Sequence, residues 1–253
     1  MSLAVIEETE KEIILAYKEK NKPKIEKETY YILHQLVVLM MNTFKDRLKG
    51  ITFEMGEIQF DESYITSELN KNALLKWLQR ISEIEYPIDD LEFGKLKVDL
   101  EEWFYQIGGQ DINFHYQDSY LLRPKEAAEL LGVSTVTLNK YVKRGFEYIA
   151  SSSQKRIPRH MIELWKNPIY CLKVQMLFQE KKSKTQSPKE RLYEVMEEIL
   201  EFQVKYKVDT VKEAFPHIDG DQMDLQDYYE WESLEEEQKK LKQMIYGTKN
   251  TDE

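Results

Sequence analysis

The sequence predicts an α+β fold that is mostly helical, and three observations lead there. Apolar residues recur at spacings of three and four over most of the chain, the mark of amphipathic helices. A few short stretches alternate apolar and polar residues instead, as half-buried strands do. With 253 residues, 42% of them hydrophobic, and only 9 glycines and 7 prolines, the chain has material for a sizeable core and no low-complexity bias. Length alone suggests one large domain or two ordinary ones, and the patterns and charge along the chain mark three regions: an α+β domain of unassigned role over 1–118, a basic module over 119–168, and an acidic helical region over 169–253.

In the first region, Thr29 to Lys49 is rich in Ile, Leu, Val and Met on most sides and reads as a helix buried by its neighbours. Ile51 to Phe60 alternates on both sides of Gly56, a hairpin signal. Leu74, Leu78 and Ile81, widened by Trp77, form a helical stripe. After Pro87, Leu91/Phe93 and Leu96/Val98/Leu100 alternate like strands. A short helix from Asp99, with Glu102 three residues on, then runs to a stop at Gly108-Gly109. Ile112, Phe114 and Tyr116 alternate once more.

In the last region, Ile169 to Lys182 reads as one helix, and Ser187-Pro188-Lys189-Glu190 opens another. Serine caps it, proline takes a position where no N–H is needed, and glutamate closes the box. Leu192, Val195, Met196, Ile199, Phe202 and Tyr206 give that helix one apolar stripe, which needs a partner surface in a second copy or in the same chain. A final helix is expected from Ser233, with Glu236 completing its cap and Leu234, Leu241 and Ile245 on one side.

Charge is uneven. The chain carries −10 overall, yet Leu121 to Lys166 holds nine cations and four anions, a net of +5. Within that stretch Pro124 suits a first helical turn, and Ala127, Ala128 and Leu131 offer a small inner face that lets a second helix approach. Gly132 makes the left-handed turn cheaply, Val133 fills the corner, and Ser134 caps a second helix whose Leu138 and Val142 point inward beside Tyr141. Beyond Gly145, Glu147 to Ala150 and Lys155 to Ile157 flank a Ser-Ser-Ser-Gln turn and read as two strands; Pro158 is expected to open a helix through Met161, Ile162, Leu164 and Trp165.

The succession Arg123-Pro-Lys-Glu-Ala-Ala-Glu-Leu-Leu-Gly-Val-Ser134, Thr137-Leu-x-x-Tyr141, Gly145 and Arg156-Ile-Pro158, leading to a short helix ending at Trp165, resembles the winged helix-turn-helix of the excisionase-like and MerR-like group. The resemblance covers residues 121–166. It implies double-stranded DNA binding, with the second helix in the major groove and the strands as a wing. The residues expected to touch DNA are Ser134, Thr135, Val136, Asn139, Lys140, Lys143, Arg144, Lys155, Arg156 and Arg159. Asn139 can bond adenine in bidentate fashion, Lys140 and Lys143 can reach guanine or a phosphate, and Thr135 or Val136 can meet a thymine methyl. Lys155, Arg156 and Arg159 would hold phosphates or the minor groove, fixing position rather than sequence. MerR proteins commonly have Arg where this chain has Asn139 and an aromatic where it has Lys140, so base preference does not carry over.

Little points to catalysis, and neither a cofactor nor a metal is expected. His34, His115, His160 and His217 are scattered without ligand spacing. Cys171 sits in an apolar helical run and reads as a buried thiol rather than a nucleophile; alone, it can form no intrachain disulfide, which fits a reducing, cytoplasmic setting. Neither a Gly-x-Gly-x-x-Gly nor a P-loop occurs. An acidic stretch counted from Asp219 places Asp221, Asp227 and Glu230 at positions 3, 9 and 12 of a calcium loop, but Met223 and Asp224 stand where a ligand and a glycine are required. No run is apolar enough to span a membrane, and no leader pattern opens the chain. The expected function is a sequence-specific DNA-binding protein, a bacterial or mobile-element transcription regulator or recombination accessory factor, working as a homodimer. The alternative is an antitoxin-like adaptor whose acidic C-terminal region masks a basic partner protein.

Overall fold

The computed structural model describes residues 3–53, 58–84, 88–150, 155–216 and 222–247. Mostly helical, with small antiparallel sheets, it agrees with the predicted class. The chain divides into two compact units after Gln179.

The first unit begins with α1 (Leu3–Lys18) and α2 (Lys22–Thr43). The Asn21 side chain accepts the Lys24 N–H at 3.2 Å and so caps α2. Ile25, Ile32, Leu33, Leu36 and Met40 bury one face of α2, while His34 and Val38 are exposed, and the helix stops six residues before the expected Lys49. Leu48 and Lys49 already belong to strand β1 (Leu48–Phe53). Next come α3 (Glu62–Ile65) and α4 (Glu68–Ser82), the latter burying Leu74, Trp77, Leu78 and Ile81 as the stripe predicted.

The expected hairpin over Ile51 to Phe60 does not form. Its centre, Gly56, lies outside the described residues, but 58–60 carry no strand, and β1 pairs antiparallel with the distant β2 (Ile112–Tyr116), Ile51 opposite Phe114. Alternation reveals that a strand has one buried face; it does not name the neighbour.

A larger correction concerns the segment after Pro87, itself outside the described residues. The runs that alternate like strands are one helix, α5 (Asp90–Gln106), capped by Asp89, whose carboxylate accepts the Glu92 N–H at 2.8 Å. Phe93, Leu96, Leu100, Trp103 and Phe104 of α5 enter one core while Val98, with half-buried Leu91, enters a second. A helix buried on two sides loses the 3.6-residue signature, and its apolar pairs two apart mimic a strand. The stop at Gly108 is as expected, with φ at +103°.

The second core belongs to β3 (Leu121–Leu122), α6 (Pro124–Leu131), α7 (Thr135–Lys143), β4 (Ile149–Ala150), β5 (Lys155–Pro158), α8 (His160–Lys166) and α9 (Pro168–Thr185). β5 lies between β3 and β4 in an antiparallel sheet. Pro158 ends β5 instead of opening a helix, because it still pairs with Leu121; α8 starts at His160. Cys171 is half-exposed and its sulfur lies 3.2 Å from the Gln175 amide nitrogen, so the expected burial is not found.

The second unit is α10 (Pro188–Tyr206), α11 (Val211–Ala214) and α12 (Gln222–Tyr246). The Ser187 box forms as predicted. The α10 stripe meets α12 of the same chain: Val195, Ile199, Val211, Trp231 and Leu234 make a closed core, with Trp231 stacked on Phe202 at 5.5 Å. Met196 is the exception and stays exposed. Ser233 begins no helix, since it lies in the middle of α12, where Tyr228, Trp231 and Leu234 continue one stripe across it. Asp219, Asp221 and His217 lie outside the described residues. Among the described residues no helix is long and apolar enough to cross a membrane.

Candidate nucleic-acid interface

Local chemistry fixes the relation of α6 to α7. The Arg123 N–H donates to the Glu126 carboxylate at 2.7 Å, tying the start of α6, and Pro124 occupies its first position. Gly132 takes φ +68°, and the Val133 N–H closes the turn on the Ala128 carbonyl at 3.0 Å. The Ser134 hydroxyl accepts the Thr137 N–H at 3.0 Å and starts α7. Ala127, Ala128 and Leu138 are buried, so small residues on α6 let the two helices close on Leu138.

That packing decides which side of α7 meets solvent. Thr135, Val136, Asn139, Lys140 and Lys143 are all exposed, Val136 to 67%, and helical geometry places them within an arc of about 140°. Leu138, Tyr141 and Val142 occupy the remaining side and pack inward. Ser134 and Arg144 are exposed at the two ends. On the hairpin, Lys155 is exposed opposite Ala150, and its ammonium lies 4.7 Å from the ring centre of Tyr148. Arg159 is exposed between β5 and α8; Arg156 is half-buried, paired across the sheet with Ile149. The turn at 151–154 lies outside the described residues. Nine of the ten expected contact residues therefore lie on exposed positions of one contiguous segment, and Arg156 is partly withdrawn.

Comparison with family models, curated proteins and solved structures returns no match.

The same segment contributes to a charged cluster that has no mark in the sequence. Glu147, between α7 and β4, is mostly buried, and three groups distant in the chain converge on it. Lys97 Nζ of α5 lies 3.1 Å from Glu147 Oε2 and 2.8 Å from Glu101 Oε1; the Tyr116 hydroxyl of β2 donates to Glu147 Oε1 at 2.8 Å. His160 Nε2 is 3.5 Å from Glu147 Oε2 but too poorly placed for a hydrogen bond, and among the described residues neither ring nitrogen of His160 has a hydrogen-bond partner. The imidazole instead stacks on Tyr120, 6.0 Å between centres, and meets the Phe93 ring edge to face at 5.1 Å.

Burial would raise the Glu147 carboxyl, but the Lys97 ammonium, helped by the Tyr116 hydroxyl, overrides it and holds Glu147 well below the usual carboxylate range. Burial pulls Lys97 down, and Glu101 with Glu147 more than restores it, so the ammonium stays charged well above its ordinary range. For His160 burial wins over Glu147, and its pKa falls below the ordinary value. One of the four anions of the basic stretch is thus neutralised internally, which leaves its solvent face more cationic than the residue count suggests. No sequence signal marks this cluster, since its members come from four separate elements. Among the described residues no group of three His, Cys, Asp or Glu side chains could hold a metal ion.

Proposed function

We propose that residues 119–168 form a winged helix-turn-helix that binds double-stranded DNA sequence-specifically, flanked by the α+β domain over 1–118 and the helical region over 169–253. In this reading the chain is a transcription regulator or a recombination accessory factor of bacterial or mobile-element type, acting as a homodimer. One observation carries it: Thr135, Val136, Asn139, Lys140 and Lys143 share the solvent side of α7, while Leu138 anchors the other side. A major groove about 12 Å wide admits such a helix, and this set offers a bidentate partner for adenine, two cations and a methyl contact. Lys155 and Arg159, both exposed, are suited to phosphate contacts, and Ser134 caps an α7 N-terminus that is also exposed.

The test is a titration of fluorescent duplex DNA with the intact protein at several salt concentrations. Affinity is expected to fall steeply with salt, and Lys155→Ala to reduce the slope of log affinity against log salt by about one unit. Binding too weak to measure at low salt would overturn the reading.

A further inference from the structure

Tyr148, which precedes β4, is none of the contact residues expected from the sequence, yet it is 40% exposed and lies beside one of them. Side chains two apart on a strand leave the same face, so Tyr148 shares a face with Ala150, and Ala150 is paired with Lys155. Alanine is too short to support the lysine opposite it. The diagonal neighbour does so instead: the Lys155 ammonium lies 4.7 Å from the centre of the Tyr148 ring, within the range at which the negative ring face attracts a cation. We propose that Tyr148 is a positioning residue for DNA binding, which holds Lys155 in readiness for a phosphate of the duplex backbone.

The hairpin around this pair favours the role. Ile157, two residues beyond Lys155, is buried in the core that also holds Leu138 of α7, so Lys155 leaves the sheet on the side where α7 packs. The other face is occupied: Ile149, paired with Arg156, packs against the first core. A lysine stem loses much rotamer freedom when its head grips a phosphate, and a ring that restrains it beforehand lowers that loss. The ring covers one side of the ammonium and leaves donors among its three N–H groups for phosphate oxygens. This role rests on the DNA-binding reading above and adds to it the residue that organises the Lys155 contact.

The test is a double-mutant cycle in the intact protein, titrating a fluorescent duplex of mixed sequence at one low salt concentration. Tyr148→Leu should weaken binding about two- to fivefold, the worth of an exposed cation–π contact, and Tyr148→Phe, which keeps the ring, should bind like the native chain. Once Lys155→Ala has removed the ammonium, Tyr148→Leu should change nothing further. Should the leucine variant misfold, Tyr148→Thr repeats the measurement with a strand-favouring residue. Without DNA, shielding by the ring should move the Lys155 ε-methylene protons upfield in the NMR spectrum, and Tyr148→Leu should return them. That shift needs no duplex, so a native chain that shows it but binds no DNA would overturn the DNA-binding reading and this role with it. Native binding with Tyr148→Leu equal to the native chain, an equal loss for Tyr148→Phe, or a loss that persists in Lys155→Ala would overturn the positioning role alone.

Discussion

Glu147 is the residue on which the first unit turns, because a carboxylate so enclosed is tolerable only while Lys97 faces it. Lys97→Met keeps the length of the side chain and removes the charge, leaving Glu147 unpaired. It is expected to cost about 3–5 kcal/mol in urea unfolding, whereas an exposed change such as Lys140→Ala should lie within about 0.5 kcal/mol. His160 and Glu147 both titrate below their ordinary ranges, so in each case the unfolded chain binds more protons than the folded one. Stability therefore declines as pH falls, from about 6.5 downward for His160 and from about 4.3 downward for Glu147. Lys97, shifted upward, has the opposite sign: its contribution is present below about pH 10.4 and is lost in strong alkali. His160→Phe keeps the ring against Phe93 and Tyr120 while removing two unpartnered nitrogens. Thermal unfolding between pH 7 and 5 should show a falling midpoint for the native chain and a flatter one for this variant; equal slopes would exclude His160 as the titrating group.

Two glycines show how elements are held together. Gly132 has open space around it but φ +68°, so Gly132→Ala meets no neighbour and costs only backbone strain, about 1 kcal/mol. At Gly94 of α5 the limit is contact: an added Cβ would lie 2.8 Å from Leu164 Cγ of α8. Gly94→Ala should push α8 away and cost about 1–3 kcal/mol, readable by thermal unfolding; a neutral result would mean that Leu164 has room to turn. The elements around Gly132 were legible in the sequence because every signal there is local: proline at the start, glycine in the turn, serine at the cap. The exposure of Asn139 and Lys140 followed from the same periodicity. What escaped was non-local. α5 read as strands because two cores share it, β1 found its partner some sixty residues away, and α12 ran through a capping pattern at Ser233 because Trp231 and Leu234 are both buried. The Lys97–Glu147–His160 cluster could not be read at all, since nothing in three isolated residues announces that they meet.

The molecule combines a basic segment, +5 over 121–166, with a remainder at −15. Under the proposed function, that difference would draw DNA to the basic segment rather than to the acidic remainder. The basic segment is also not self-sufficient. Glu147 depends on Lys97 and Tyr116, and Val98 completes the core around Leu138 and Phe146. Residues 119–168 expressed alone are expected to show little helical circular dichroism, and a folded peptide would refute the structural role given to α5. The most direct measurement of the DNA-binding claim is selection of duplexes from a random pool by the intact protein, repeated with Asn139→Ala and with Lys140→Ala. The native chain is expected to enrich a motif, and each variant to lose preference at individual base pairs. Enrichment of no motif, or of one that both variants preserve unchanged, would contradict it.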